Sequence, residues 1–402
     1  MTSAPLAPSA SPVLSRRAGL MRGSAIRELL KLTEQQQIIS FGGGLPASEV
    51  LPVEAIAEAA GRVLATTGAA ALQYGATEGI RPLREFIAER MRRKGIPATP
   101  DDVLVTSGAQ QGLDLIGRLF LDPGAGVVTE APTFLGALQA FSAYEPRILG
   151  AAVDDRGVRL DLLEERLRLR PRFLYVLPNF QNPSGVTLAP LRRPALLELA
   201  ARHDVTVVED DPYGELRYEG EPLPPLASLD PDHVIHLGSF SKILAPGLRV
   251  GWMVGPRTLI RKLALLKQGA DLHTGTLVQH LVTEVCRDGF LDRHIPRILA
   301  VHRERRDAML EALARHFPPS VRWTRPLGGL FLWVTLPSDC DAEALLQSAL
   351  ARDVAFVPGA CFFPDASGRN CFRLNFSYAP PTLIAEGIRR LGKVLHAALR
   401  HS

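Results

Sequence analysis

Two stretches decide the fold of this 402-residue chain. Residues 205–211 read Val-Thr-Val-Val-Glu-Asp-Asp, and residues 234–242 read Val-Ile-His-Leu-Gly-Ser-Phe-Ser-Lys. Each is a short apolar run that ends in polar residues. Runs of the same kind alternate with helical patterns at residues 103–106, 126–129, 147–151, 173–177 and 250–254. This alternation predicts an α/β domain with a mostly parallel sheet covered by helices, and such a sheet binds ligands at the carboxyl ends of its strands.

The remainder of the chain predicts a second, smaller α/β domain. Residues 259–313 are mainly helical in pattern, and after them strand patterns at 321–325, 330–336 and 372–376 accompany helical patterns at 342–352 and 381–399. We therefore predict four parts: a flexible N-terminal arm (1–23), an N-terminal helix and glycine-rich turn (24–45), a large domain with its linking helix (46–305), and a small C-terminal domain (306–402).

The composition excludes several classes of protein. Hydrophobic residues make up 46% of the chain and charged residues 22%, which is typical of a globular protein. The net charge of +4 comes from interspersed charges, which argues against nucleic-acid binding as the main function. Residues 173–191 lack charges but contain three prolines, so they do not form a membrane helix, and residues 1–12 lack the apolar core of a signal peptide.

The spacing of the cysteines excludes common metal and redox motifs. The four cysteines have no Cys-x-x-Cys spacing, which predicts no metal site and favours a reducing compartment. We therefore expect a cytoplasmic protein without metal, nucleic-acid or membrane partners.

Polar residues directly after predicted strands are the candidates for chemistry. Ser107-Gly108-Ala109 joins a strand to a helix, and such a turn binds anions through free backbone N–H groups and the helix dipole. The alternative is a serine that only caps the helix. Asp210, after the apolar run at 205–208, could bind a metal, cap a helix or pair with a buried cation. Asn182, in Asn-Pro-Ser-Gly, could belong to a turn without a ligand.

Lys242 differs from the other five lysines in its sequence context. The others lie on predicted amphipathic helices or at their ends, where we expect solvated side chains: Lys31, Lys94, Lys262, Lys267 and Lys393. Lys242 follows an apolar strand through a Gly/Ser turn, so we expect it to be partly desolvated. Desolvation lowers the pKa of an amine and favours its neutral, nucleophilic form. The alternative is a lysine at a helix start that pairs with a carboxylate.

Together these groups are the parts that hold pyridoxal phosphate. The sequence resembles the fold-type I, class I/II aminotransferases, most closely the branch with 2-aminoadipate and kynurenine aminotransferases. The resemblance covers residues 24–399 and is carried by Asn-Pro-Ser-Gly (182–185), Asp-Asp-Pro-Tyr (210–213) and Ser-Phe-Ser-Lys…Gly-Leu-Arg (239–249). It implies the aminotransferase fold of type I, with a large sheet domain and a smaller α/β domain.

The resemblance implies a cofactor role for each matching residue. Lys242 would form the Schiff base with pyridoxal 5'-phosphate and act as the proton-transfer base. Asp210 would face the ring nitrogen, Tyr213 and Asn182 would hydrogen-bond the 3-oxygen, and Phe134 would stack on the ring. The phosphate would be bound by Ser107, Gly108, Ala109, Ser239, Ser241 and Arg249, with Arg249 as the main countercharge.

The resemblance also implies substrate and subunit contacts. Tyr74 would reach the phosphate of the partner subunit, which predicts a homodimer with shared active sites. Arg373 would bind the α-carboxylate of the substrate, close to Asn182 and Gly43. Arg27, in the predicted N-terminal helix, would bind a distal carboxylate; the alternative is a surface arginine paired with an acid.

The implied reaction is transamination between an L-amino acid and a 2-oxo acid by a ping-pong route, with 2-oxoglutarate and glutamate as one pair. Two alternatives remain open. One is another pyridoxal phosphate reaction on an amino acid, such as oxidation or decarboxylation. The other is a ligand-sensing domain of the kind that follows a DNA-binding winged helix. The roughly 25 residues before the first predicted helix are too few for that module, and Lys242 favours an enzyme.

Overall fold

The structure is a computed structural model. It describes residues 13–20, 23 and 38–399. The predicted N-terminal helix, including Arg27, lies outside the described residues, as does most of the predicted arm. We number helices and strands over the described residues only. The first of them are helix α1 (Arg16–Leu20) and strand β1 (Ile39–Ser40).

One large sheet contains eight of the described strands. From edge to edge they are β2 (Val103–Thr106), β9 (Gly251–Val254), β8 (Val234–Ser239), β7 (Thr206–Asp210), β6 (Phe173–Val176), β3 (Gly126–Ala131), β4 (Arg147–Asp154) and β5 (Gly157–Val158). The pairs from β8 across to β4 are parallel, whereas β9 is antiparallel to both neighbours and β5 is antiparallel to β4. The predicted mostly parallel sheet is therefore confirmed.

The central strands of the large sheet are buried. Every residue of β6, β8 and β9 is buried, and only the first residue of β7 is partly exposed. Burial on both faces explains why these segments are continuous apolar runs in the sequence. It also leaves polar chemistry to the ends of the strands.

Helices cover this sheet and follow most of its strands. They are α2 (Val53–Ala71), α3 (Arg81–Arg93), α4 (Ala109–Phe120), α5 (Leu135–Ser142), α6 (Leu160–Leu167), α7 (Arg192–Arg202), α8 (Leu226–Leu229), α9 (Arg257–Asp271) and α10 (Thr276–Val285). None of the helices in the described part of the chain is long and apolar enough to span a membrane.

A second sheet and a second hydrophobic core lie in the C-terminal part. Strands β10 (Arg322–Trp323), β11 (Phe331–Thr335), β14 (Cys371–Asn375) and β13 (Val357–Pro358) form an antiparallel sheet in that order. It packs with α12 (Ala342–Leu350) and α13 (Pro381–Ala398). Strand β12 (Val354–Ala355) pairs in parallel with β1, so the N-terminal segment joins this part of the molecule.

Helix α11 (Phe290–His316) connects the two parts and packs along α13. The predicted domain boundary at residue 305 lies within this helix, and the boundaries of all four parts remain predictions. The pairs of residues that form β12 and β13 were not predicted, because two residues are too few to show an alternating pattern.

Gly117 offers a test of the packing between α4 and the ring of Tyr144. A Cβ at Gly117 would lie 2.6 Å from Cδ2 of Tyr144, whose hydroxyl donates to Asp114 at 2.7 Å. We expect Gly117→Ala to lower the free energy of unfolding, measured by urea denaturation, by about 1–3 kcal/mol. Gly61, in α2, has no atom within 4 Å of an added Cβ, so Gly61→Ala should raise this free energy by about 0.5–1 kcal/mol. Equal changes in the two variants would contradict the packing argument.

Candidate active site

Lys242 lies in the turn that follows β8, at the carboxyl end of the strand. Its Nζ donates a hydrogen bond of 2.7 Å to the carbonyl oxygen of Gly44, in the glycine-rich turn near the N-terminus. Burial, with further contributions from the charges of Arg249 and Arg373, lowers the pKa of Lys242 to about 8. This amine is therefore desolvated in the way that its sequence context predicts.

The expectation of a solvated side chain at Lys267 is wrong. Lys267 is fully buried in α9, and its Nζ donates to Oε1 of Gln111 and to both carboxylate oxygens of Asp271. Asp271 also accepts a hydrogen bond of 3.1 Å from the hydroxyl of Ser107. The Lys267–Asp271 spacing of four residues was the available signal, because a helix brings such a pair together.

The predicted anion-binding turn lies beside Arg249. Gly108, with φ of +80°, is the N-terminal cap of α4, and a Cβ there would lie 2.5 Å from Nη2 of Arg249. Glycine is therefore required both by the backbone conformation and by the approach of the guanidinium. Ser239 and Ser241 lie at the end of β8, where the hydroxyl oxygen of Ser239 accepts from the backbone N–H of Ser241 at 3.1 Å. The guanidinium of Arg249 and the N-terminus of α4 thus lie next to each other, and we call the space beside them the cradle.

Asp210 ends β7 and is 2% exposed. Its Oδ2 accepts a hydrogen bond of 2.7 Å from the hydroxyl of Tyr175, whereas its buried Oδ1 has no hydrogen-bond partner among the described residues. Burial raises the pKa of Asp210 to about 6, and the charge of Asp211 also raises it. Sequence reasoning missed Tyr175, because an aromatic residue within an apolar strand resembles ordinary core.

The two acids beside Asp210 have structural partners. Oε2 of Glu209 lies 2.9 Å from Nδ1 of His236, and the carboxyl group of Glu209 accepts hydrogen bonds from the backbone N–H groups of Leu226 and Ala227 at the start of α8. Asp211 accepts a hydrogen bond of 3.0 Å from the amide of Asn179. Asp210 is thus the member of this acidic run that has a free buried oxygen.

Arg373, in β14, is the second arginine of the site, after Arg249. Nη1 donates to Oδ1 of Asn182 at 2.7 Å and Nη2 donates to the carbonyl oxygen of Gly42 at 2.6 Å, but the buried Nε has no partner within the described ranges. Two rings that sequence reasoning missed flank the guanidinium, with centroids at 4.2 Å for Phe331 and 5.0 Å for Phe362. Burial lowers the pKa of Arg373 to about 10, so it stays charged at neutral pH.

The structure places some of the remaining predicted residues at this site, whereas Tyr74 lies apart from it. Tyr213 is buried and packs edge-on against Phe331 at 6.0 Å, and burial raises the pKa of its hydroxyl. Gly43 is buried in the turn between the carbonyls that bind Arg373 and Lys242. Phe134 is the N-cap residue of α5, and its ring packs over Gly136. Tyr74 lies apart as a residue that is 78% exposed, and its ring centroid lies 5.8 Å from that of His273.

Comparison with known proteins decides the family. The profile of the family described as aminotransferase class I and II matches residues 36–391. The chain belongs to this family. It is 49% identical over 394 residues to aromatic-amino-acid aminotransferase 1 of Thermococcus litoralis, and the match covers 96% of this chain and 94% of that protein.

Two solved structures extend this relationship to the fold and the cofactor. LysN, the alpha-aminoadipate aminotransferase of Thermus thermophilus complexed with N-(5'-phosphopyridoxyl)-L-leucine, has a TM-score of 0.92 at 46% identity, covering 97% of this chain and 98% of that chain. The kynurenine aminotransferase of Pyrococcus horikoshii in complex with PMP has a TM-score of 0.93 at 46% identity, covering 96% and 97%. The protein is a pyridoxal phosphate-dependent aminotransferase of fold type I.

The residues of the site fit this cofactor. The partnerless Oδ1 of Asp210 is a buried acceptor that suits a protonated ring nitrogen. The cradle at Gly108, which a Cβ would fill, presents the N-terminus of α4 and the guanidinium of Arg249, as a phosphate requires. Lys242 lies at the carboxyl edge of the same sheet as both features.

Proposed function

We propose that this aminotransferase exchanges the amino group of an L-amino acid with 2-oxoglutarate, and that Lys242 binds the cofactor and transfers the proton. The observation that carries this proposal is the desolvated Nζ of Lys242 at the carboxyl edge of the sheet, with Arg249 and Arg373 as its nearby cations. A pKa of about 8 suits a general base that works near neutral pH.

The proposed mechanism assigns the proton transfers to two side chains. When bound, pyridoxal phosphate supplies a conjugated ring that stabilises negative charge at the substrate Cα. Nζ of Lys242 would take a proton from the Cα of the amino acid in one half-reaction and would give a proton to the Cα derived from the oxo acid in the other. Oδ1 of Asp210 would accept a hydrogen bond from the ring nitrogen and would favour a proton there, because a nearby anion stabilises the charged form.

Other residues hold the cofactor in place. We assign the phosphate to the turn at Ser107, Gly108 and Ala109, to Ser239 and Ser241, and to Arg249 as the countercharge. Tyr213 and Asn182 bind the 3-oxygen, and Phe134 stacks on the ring. Support for this assignment comes from the shared position of these residues at one edge of the large sheet, where the parallel strands end and the antiparallel β9 begins.

Arg373 is the proposed site for the α-carboxylate of the substrate. The hydrogen bonds to Asn182 and Gly42 fix the guanidinium plane, and the unpartnered Nε remains available to an anion. Phe331 and Phe362 exclude water from its faces, which strengthens a charge-assisted hydrogen bond. The backbone at Gly43 lies beside this position.

We further propose a cytoplasmic homodimer in which Tyr74 reaches the phosphate of the partner subunit. The exposed ring of Tyr74 and the exposed side chains of Leu72 and Leu272 support an interface there, since large exposed apolar residues favour association. The four cysteines are free, as in a reducing compartment. The separate cores of the two sheets support the proposed division into a large and a small domain.

A half-reaction screen tests the proposed reaction. Purified enzyme is mixed with each amino acid, and the absorbance of the bound cofactor and the release of glutamate from 2-oxoglutarate are followed. We expect Lys242→Ala to abolish turnover, and borohydride reduction of the native enzyme to fix the cofactor on the peptide with Lys242. Lys262→Ala, at an exposed lysine of α9, is the matched control and should keep full activity. Wild-type turnover in Lys242→Ala, or oxo acid formed with oxygen consumption and no acceptor, would contradict the proposal.

The two neighbouring aspartates give a test of register. Asp210→Asn removes the charge at the ring nitrogen, and we expect kcat to fall at least ~100-fold, which corresponds to about 3 kcal/mol of barrier. Asp211→Asn keeps an oxygen that accepts from Asn179, so kcat should stay within a few-fold of the native value. The opposite order of the two kcat values would show that the assignment is off by one residue.

Arg27 is the proposed partner of a second substrate carboxylate, although it lies outside the described residues. Burying a carboxylate without a partner costs free energy. We therefore expect Arg27→Ala to raise the barrier that kcat/KM for glutamate measures by a few kcal/mol, and to leave kcat/KM for leucine unchanged. Arg373→Ala is the comparison, because it should weaken both substrates. If Arg27→Ala lowered kcat/KM equally for glutamate and leucine, the preference for dicarboxylates would be withdrawn.

A further inference from the structure

Tyr175 contacts the carboxylate that has one free oxygen. It lies in β6 with its side chain fully buried, and its ring packs edge-on against Phe141 with the centroids 5.6 Å apart. Its hydroxyl donates a hydrogen bond of 2.7 Å to Oδ2 of Asp210. The proposed mechanism gives this hydroxyl no role.

The hydroxyl of Tyr175 is a donor with a fixed direction. Burial, and then the charge of Asp210, raises the pKa of the phenol well above its usual value, so it keeps its proton throughout the working pH range. A hydrogen bond donated to a buried carboxylate favours the charged form of that carboxylate. Because the bond is made to Oδ2, it also fixes the orientation of the carboxyl group and leaves Oδ1 free.

In the described part of the chain, the other ionisable groups near Tyr175 and Asp210 donate no hydrogen bond to the side chain of Asp210. Asp211, directly after β7, raises the pKa of Asp210 by its charge, and His236 of β8 lowers it by its charge. Around Tyr175, both Glu130 at the end of β3 and Tyr213 raise the pKa of the phenol. Oε2 of Glu130 accepts a hydrogen bond of 2.9 Å from the backbone N–H of Leu177, and burial raises the pKa of Glu130 to about 8. Among the residues that the structure covers, Tyr175 is the hydrogen-bond donor to the side chain of Asp210.

We propose that Tyr175 is a positioning residue for the reaction: its hydroxyl holds Oδ2 of Asp210, so that Oδ1 stays charged and directed at the ring nitrogen of the cofactor. The proposal rests on the proposed function, since it assumes that Asp210 binds that nitrogen. It adds a residue of β6 that acts only through Asp210.

Tyr175→Phe tests the proposal, because it removes one oxygen and leaves the ring in place. Tyr144→Phe is the matched control: the hydroxyl of Tyr144 also donates at 2.7 Å to a carboxylate, that of Asp114, away from the site. We expect Tyr175→Phe to lower kcat by ~10- to 100-fold with KM little changed, as for the loss of a hydrogen bond to a charged group. The Kd of the apo-enzyme for pyridoxal phosphate should rise ~10-fold. Tyr144→Phe should leave kcat and Kd as in the native enzyme.

The pH dependence separates positioning from packing. The hydrogen bond favours the charged carboxylate, so its loss raises the pKa of Asp210. A carboxylate is charged above its pKa, and the acid limb of cofactor binding should therefore move to higher pH, by about one unit in Tyr175→Phe. A loss of packing alone would lower the melting temperature without moving this limb.

Two results would overturn the role of Tyr175. One is a Tyr175→Phe enzyme with the kcat, cofactor Kd and acid limb of Tyr144→Phe while Asp210→Asn is impaired. The other is a double variant, Tyr175→Phe with Asp210→Asn, in which the two losses simply multiply, because a residue that acts through Asp210 adds little once that charge is gone. An Asp210→Asn enzyme with native kcat would instead overturn the assignment of Asp210, so the two failures are distinguishable.

Discussion

A buried carboxylate with one unsatisfied oxygen is the constraint around which this site is built. Asp210 is 2% exposed, and an isolated charge at such a position is costly unless partners compensate it. The protein supplies a single donor, Tyr175, and leaves Oδ1 without a partner in the described part of the chain. On our assignment the second partner is the protonated ring nitrogen of the cofactor. The free Oδ1 of Asp210 therefore favours a cationic group at that point. The strand that carries Asp210 is buried in the centre of the large sheet, which fixes the place of this carboxylate.

The sequence predicts the parts of this arrangement that obey a positional rule. Lys242, Asp210 and the turn at Gly108 are polar groups directly after apolar strands, and parallel strands bring such ends to one edge of a sheet. Arg373 lies inside a strand, so its assignment needed the family resemblance. The family and the fold are confirmed by the comparisons, while the roles of the individual residues are proposals.

The sequence could not predict contacts made by residues that resemble ordinary core. Tyr175, Phe331 and Phe362 lie in apolar surroundings, and only the tertiary structure shows that the first binds a carboxylate and the others flank a guanidinium. The prediction of a solvated Lys267 is wrong for a related reason. A lysine on an amphipathic helix is usually solvated, but here Gln111 and Asp271 satisfy its ammonium inside the protein. Partners of buried polar groups are set by packing between distant segments, which local patterns do not encode.

The electrostatics of the site link ligand binding to the basicity of Lys242. Its pKa is lowered first by burial and then by the charges of Arg249 and Arg373. On our assignment the cofactor phosphate neutralises Arg249 and the substrate α-carboxylate neutralises Arg373. Removal of two repelling charges favours the protonated amine, so a free Nζ would be a stronger base with both anions in place than in the empty site. On this assignment the two arginines would affect the proton transfer as well as binding, because each anion that they hold changes the charge around Lys242.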